Sequence, residues 1–294
     1  MDSYSLENLW KSIIRPPRDK YKFKDLGPNE FMSYGRNFVR KDYKLIGRSG
    51  NILQCSFYEN EQSNHDSESI PVIIYCHGNS SSQCEIKYYL DKILQENINA
   101  FTFDFSGCGK SEGEYISLGF YEKYDLKMII DFVYKLPNVG KIALWGHSMG
   151  AATILLYAAK DPRISCICVD SPFSDFNILL KEYSERLTII PGFVFSTAYN
   201  LTKTMVFNRN KLDIDNIKPI DEVKNIKIPI YFVHAMKDTL IKSDHSLKLY
   251  ENCGSSIKFI NICEGGHNTI RNDNIINKIM NFFKNYLYPS QNKV

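Results

Sequence analysis

The sequence predicts an α/β fold: a mostly parallel central sheet covered by helices on both faces. Three observations support this. Strand-like segments at Ile70–Cys76, Asn99–Phe105, Lys141–Trp145, Ile164–Val169, Ile228–Val233 and Ser256–Ile262 are apolar almost throughout rather than alternating, as strands buried on both faces must be. Helical segments at Cys84–Glu96, Gly119–Lys135, Asp244–Asn252 and Asn272–Tyr286 separate them, which is the rhythm of parallel pairing through crossovers. Finally, Lys141–Lys160 reads as a short strand, a Gly-x-Ser-x-Gly turn and a tight apolar helix.

Composition bounds the function. The chain has 294 residues, 44% hydrophobic and 23% charged, with a net charge of +3. That charge is too small to point to nucleic acid, and no apolar run approaches a membrane span. Met1–Trp10 lacks the apolar centre of a signal peptide. Asp2 does not start an N-myristoylation signal, and the tail does not end in a prenylation motif. The eight cysteines, at 55, 76, 84, 108, 166, 168, 253 and 263, are scattered with no Cys-x-x-Cys pair. They read as buried, reduced thiols, and the expected location is the cytoplasm, with peripheral membrane contact left open.

In chain order, residues 1–33 form an N-terminal arm. Lys11, Arg15, Arg18, Lys20, Lys22 and Lys24 face Asp19 alone between residues 11 and 24, Tyr21 and Phe23 lie among them, and Pro16-Pro17 breaks any long helix. The arm either packs along the domain by its aromatics or docks on an acidic membrane surface or partner. The main domain, 34–294, opens with an antiparallel pair, Phe38–Arg40 and Ile52–Phe57, joined through Arg48-Ser49-Gly50-Asn51. Residues 59–69 form a polar loop. One connection breaks the alternation: residues 171–227 separate the strands ending near Val169 and beginning near Ile228. It holds an amphipathic run, Phe176–Leu187, and a bulky apolar run over 187–199. A connection this long is usually functional, and it is expected to form a small helical lid, the apolar run covering an acyl chain.

The chemistry centres on Ser148. A serine hydroxyl becomes nucleophilic when a sharp strand-to-helix turn holds it out toward a base. Gly146 and Gly150 leave room for strand and helix to crowd together, and the Met149 N–H at the helix start can bind a developing oxyanion. The loop His77-Gly78-Asn79-Ser80 follows another strand and offers the Asn79 N–H as the second donor. Of the histidines after Ser148, His267 lies in a Gly-rich loop after the last strand, whereas His245 falls inside a helix and His234 ends a strand. Asp238 follows the strand ending at Val233; Asp170 is its rival. Ser148, Asp238 and His267 then follow three different strands in the order Ser, Asp, His. The turn Asp104-Phe-Ser-Gly-Cys-Gly-Lys-Ser-Glu-Gly113 lacks phosphate-loop spacing and reads as a rigid turn backing the site.

Together, His77-Gly78-Asn79, Asp104-x-x-Gly107-x-Gly109-x-Ser111-x-Gly113, Gly146-His-Ser148-Met-Gly150, His234-x-x-x-Asp238 and Gly266-His267 resemble the α/β-hydrolase superfamily. The likeness is to its Bem46-like and serine-aminopeptidase-type branch, which includes protein depalmitoylases and monoacylglycerol lipases. It spans about Tyr34 to Tyr286; Ala235 stands where that family often has glycine. The resemblance implies a serine hydrolase of acyl esters or thioesters (carboxylesterase, lipase or thioesterase-like). Ser148 would be the nucleophile, His267 the base, Asp238 the orienting acid, and Asn79 and Met149 the oxyanion hole. It implies no metal or organic cofactor. The partner is a small-molecule or lipid acyl substrate. Alternatives are an acyl-protein thioesterase, a serine-aminopeptidase-like peptidase, or a non-catalytic scaffold on the same fold.

Overall fold

The computed structural model describes residues 10–11, 13–61, 69–186 and 192–288, with backbone alone for 184–186 and 192–198. Nine strands form one sheet: β1 (Glu30–Ser33), β2 (Arg36–Ile46), β3 (Ile52–Asn60), β4 (Ile70–Cys76), β5 (Asn99–Phe103), β6 (Val139–His147), β7 (Ile164–Asp170), β8 (Ile230–Ala235) and β9 (Lys258–Cys263). Their order is β1-β2-β3-β5-β4-β6-β7-β8-β9. The first three strands run antiparallel, β3 also to β5, and all pairs from β5 through β9 are parallel. The expected α/β architecture, mostly parallel with antiparallel N-terminal strands, is the one observed.

The sheet is buried on both faces because its central strands carry apolar residues at every position. In β4, Val72, Ile74 and Cys76 point into one core with the helices α2 (Glu122–Val133) and α3 (Met149–Tyr157). Ile73 and Tyr75 point into the other, with α1 (Leu90–Gln95) and the C-terminal helix α8 (Asp273–Leu287). Cys166 and Cys168 share the second face, as period-two geometry requires. All eight cysteines are buried and unpaired.

Three details depart from the sequence-based reading. β1 was not anticipated, since its four residues alternate between exposed and half-buried and leave little apolar signal. The helix expected over 84–96 divides into a 3-10 turn, Gln83–Tyr88, and α1. The helix expected from Gly119 begins at Glu122, because the Glu122 carboxylate accepts from the N–H groups of Ser117 and Gly119 and Gly119 has a φ of +102°, a left-handed conformation open chiefly to glycine.

The 171–227 connection contains α4 (Phe176–Arg186), α5 (Gly192–Asn210), a 3-10 turn and α6 (Pro219–Val223); α7 (Asp244–Asn252) follows β8. Residues 187–191, and the side chains of the rest of the apolar run to 198, lie outside the described residues, as do 1–9 and most of the polar loop 59–69.

Residues 10–11 and 13–26 are held against the body. Trp10, Ile13 and Ile14 are buried, and the Ile14 carbonyl accepts from the Ile116 N–H at 2.8 Å. The Arg18 guanidinium donates to the carbonyls of Ser111 and Gly113. The Tyr21 hydroxyl donates to Asp104 Oδ2 at 2.8 Å. Asp104 in turn accepts from the N–H groups of Gln83 and Lys110, so the turn 104–113 is braced from both sides.

Ile14 has no exposed surface. Ile14→Ala is therefore expected to lower unfolding free energy by about 2–5 kcal/mol in urea titrations. A change below about 0.5 kcal/mol would mean that this segment does not fold cooperatively with the rest.

Candidate active site

Sheet register brings the functional loops to one edge. Cys76 pairs with Gly146, His147 with Asp170, and Ala235 with Cys263, so β4, β6, β7, β8 and β9 end together. Ser148 lies where β6 turns directly into α3. Its φ of 52° and ψ of −114° form a strained conformation for a residue with a Cβ, worth on the order of 1–3 kcal/mol. The strain is held by packing. A Cβ on Gly146 would come within 2.6 Å of the Gly150 carbonyl carbon, and one on Gly150 would collide with the Cys76 carbonyl. The Ser148 N–H is anchored on the Asp170 carbonyl at 2.8 Å.

The three side chains singled out in the sequence meet here. His267 Nε2 is 2.9 Å from Ser148 Oγ, and His267 Nδ1 is 2.6 Å from Asp238 Oδ2. The carboxylate can only accept, so Nδ1 carries the proton and Nε2 is left facing the hydroxyl. Asp238 Oδ1 accepts from the N–H groups of Leu240 and Ile241, each at 2.8 Å. His234 Nε2 stands 3.3 Å from Asp238 Oδ2. Burial works against ionisation of Asp238, but the hydrogen bonds from His234 and His267 outweigh it and hold the carboxyl well below the usual range. The anionic form of Asp238 is thus favoured.

The other candidates stand apart. His245 is buried in α7, and its Nδ1 accepts from the Ser174 N–H. Asp170 is engaged by Arg271, which donates through Nε at 2.8 Å and Nη2 at 2.7 Å. The opposed guanidinium overcomes burial and lowers the Asp170 pKa. Arg271 also donates to the carbonyls of Gly266 and Thr269, shaping the loop that presents His267. Among the described residues, the N–H groups of Asn79 and Met149 have no protein acceptor. The His77 ring braces the Asn79 loop: Nε2 accepts from the Phe105 N–H and Nδ1 donates to the Gly78 carbonyl at 2.7 Å.

Sequence reasoning missed Glu85, His147 and Arg271. His147 was seen only as part of the turn, and Glu85 only as part of the helix expected over 84–96. They join the site through pairings between distant loops, for which a single sequence carries no signal.

Ser148 opens onto two chambers of opposite character. One, of about 390 Å³, is lined by Ile13, Leu118, Phe173, Phe176, Leu179 and Tyr183 among others. The second, of about 470 Å³, is lined by Ser80, Ser81, Tyr88, Asn268, Thr269 and the paired charges Glu85, His147, Asp170 and Arg271. Among the described residues, no group of three or more His, Cys, Asp or Glu is placed to hold a metal ion. Also among those residues, no helix is long and apolar enough to cross a membrane.

A nine-stranded mixed sheet with a serine on a Gly-x-Ser-x-Gly turn between β6 and α3 defines an α/β-hydrolase. More narrowly, the chain belongs to the Hydrolase_4 family of serine aminopeptidases, S33, whose sequence model matches residues 67–216. It is 26% identical to the uncharacterized protein YfhR of Escherichia coli K12 over 245 residues, covering 82% of this chain and 75% of that one. It is 27% identical to the uncharacterized protein YqkD of Bacillus subtilis, covering 64% of this chain and 61% of YqkD. It is 28% identical to the lysophosphatidylserine lipase ABHD12 of Xenopus tropicalis, covering 63% of this chain but only 47% of ABHD12. The fold is similar to that of the Pyrococcus furiosus esterase Pf2001, with a TM-score of 0.71 at 20% identity, over 93% of this chain and all (100%) of that one.

The Asp170–Arg271 pair is almost fully enclosed, at 3% and 1% side-chain exposure. Arg271→Ala leaves a buried carboxylate alone, and is expected to cost about 3–5 kcal/mol of stability in denaturant titration. An unchanged midpoint would show that the pair does not hold the 266–271 loop.

Proposed function

We propose that this protein hydrolyses acyl esters, and by the same steps thioesters, through Ser148, His267 and Asp238. The observation that carries the proposal is the place of Ser148: hydrogen-bonded to an imidazole, at the junction of an apolar and a polar chamber. An acyl chain fits the first and a polar leaving group the second.

Each proposed step draws support from this geometry. Ser148 Oγ attacks the acyl carbonyl as its proton passes to His267 Nε2. The Asp238 carboxylate fixes the tautomer and balances the imidazolium. The N–H groups of Met149 and Asn79, unengaged among the described residues, stabilise the oxyanion. On collapse, the alcohol or thiol leaves with the proton from His267. Water, deprotonated by the same ring, attacks the acyl-enzyme and releases the acid. In this reading the 171–227 connection is the lid, and its residues Phe173, Phe176, Leu179, Leu180 and Tyr183 line the acyl chamber.

Esters stand ahead of the alternatives. The relatives named a lipase and an esterase act on esters. Aminopeptidase chemistry needs a carboxylate free to hold the substrate amine. Both carboxylates lining the polar chamber are already taken, Glu85 by His147 and Asp170 by Arg271. Acyl-protein thioesterase activity would use the same residues and is separated from ester hydrolysis by substrate alone.

A fluorophosphonate probe is expected to label the wild-type protein and to leave Ser148→Ala unlabelled, with turnover of p-nitrophenyl esters falling on the order of a millionfold. Equal labelling of the two proteins would end the proposal. Ile13, supplied by the N-terminal segment, lines the acyl chamber. Ile13→Ala is therefore expected to move the optimum of a p-nitrophenyl ester series toward longer chains. An unchanged profile would remove that chamber from substrate binding.

A further inference from the structure

We propose that Glu85 and His147 are positioning residues, a half-buried ion pair that ties the oxyanion loop to the loop carrying His267. The inference rests on the reading of Ser148 and His267 as the reacting pair and adds a connection that this reading does not require.

Glu85 projects from the 3-10 turn 83–88 into the chamber that Ser148 also lines. Its Oε2 accepts from the Gly78 N–H at 3.0 Å, the residue before the proposed oxyanion donor Asn79. Its Oε1 accepts from His147 Nδ1 at 2.9 Å and from the Tyr75 hydroxyl at 2.8 Å. His147 precedes Ser148, and its Nε2 lies 3.1 Å from the His267 carbonyl. One chain of contacts therefore runs from the oxyanion loop through Glu85 and His147 to the backbone of His267.

The geometry decides the charge of His147. Both ring nitrogens face atoms that can only accept, a carboxylate and a carbonyl. A neutral imidazole would turn a lone pair toward one of them, whereas an imidazolium donates to both. The surrounding charges agree. Burial disfavours the cation, but Glu85 overcomes it, Asp170 on β7 adds to it, and Arg271 in the loop before α8 subtracts; the His147 pKa is raised to about 9. Burial likewise opposes the Glu85 anion, yet His147 holds its pKa down to about 2, with a hydrogen bond from Ser81 contributing. Tyr75 on β4 faces Glu85, and the His267 ring lies 5.0 Å from that of His147. The pair is thus charged from about pH 2 to about pH 9. Above that window His147 loses its proton and its second donor, so the tie to His267 is lost.

A merely structural ion pair would change stability and leave the reacting geometry alone. A positioning pair changes kcat. Glu85→Gln is expected to lower kcat for a p-nitrophenyl ester about ten- to a hundredfold, the scale of small misplacements near a reacting centre. KM should stay within about twofold, and Glu85→Asp should recover part of the loss. Wild-type kcat should fall as pH rises through about 9. In full-length Ser148→Ala protein labelled with ¹⁵N-histidine, the His147 imidazole should stay protonated to about pH 9, and adding Glu85→Gln should bring its titration below pH 7 while shifting the His267 resonances. Unchanged kcat and pH dependence in Glu85→Gln, or a His147 that titrates near 6.5 in the parent protein, the ordinary histidine value, would overturn the proposal. If Glu85→Gln does not fold, the wild-type protein still decides: a kcat level from pH 8 to about 10 rejects the tie. If the wild-type protein hydrolyses no ester, the hydrolase reading fails by itself, and the imidazole spectrum still reports on the pair.

Discussion

The contact on which this structure depends is between two stretches of backbone. Helix α3 presses against the end of the sheet at Gly150, where a single added carbon would collide with the Cys76 carbonyl. Gly146 is crowded in turn by Gly150. With strand and helix forced together, Ser148 has no relaxed conformation open to it and takes a positive φ. The hydroxyl is thereby raised above the sheet edge, and the first N–H of α3 is left without an acceptor among the described residues. Side chains of ordinary chemistry acquire an unusual disposition because the main chain cannot be elsewhere. The strain, on the order of 1–3 kcal/mol, is offset by burial of the whole apolar helix.

Electrostatic order is built around that point in pairs. Asp238 is held by two backbone N–H groups and two histidines; Asp170 is paired with Arg271, and Glu85 with His147. Each of these three carboxylates has a partner, as burial demands. A chamber lined by four charged side chains therefore offers no single one of them free to bind a counter-charge on a substrate. Its open hydrogen-bonding capacity lies in hydroxyl and amide groups such as Ser80, Ser81 and Asn268. The apolar chamber on the other side of Ser148 asks only for hydrocarbon. The proposed bipartite acyl substrate rests on that contrast more than on any one residue.

Much of this was legible in the sequence, for physical reasons. Strands buried on both faces are apolar throughout, so β4 through β8 announced themselves and with them the parallel sheet. The glycines of the turn at Ser148 are demanded by main-chain contact, so they too appear as a local pattern. Ser148, Asp238 and His267 could be singled out because each follows its own strand, and topology brings strand ends together. β1 was missed, since a short edge strand with half-exposed residues leaves no clear periodicity. Glu85, His147 and Arg271 were missed because what distinguishes them is a partner many residues away. The burial of Trp10 and Ile14 was equally hidden, since a basic, proline-broken segment looks the same whether it packs or not.

The central claim is that Ser148 forms a covalent acyl-enzyme. The most direct measurement is intact-protein mass spectrometry of the wild type, quenched in acid within seconds of mixing with excess p-nitrophenyl ester, followed by peptide mapping. The account predicts one acyl group per chain, attached at Ser148, decaying as free acid appears. Acyl transfer to another residue, or release of p-nitrophenol with no covalent adduct at any time while the ester is turned over by Ser148→Ala as well, would contradict it.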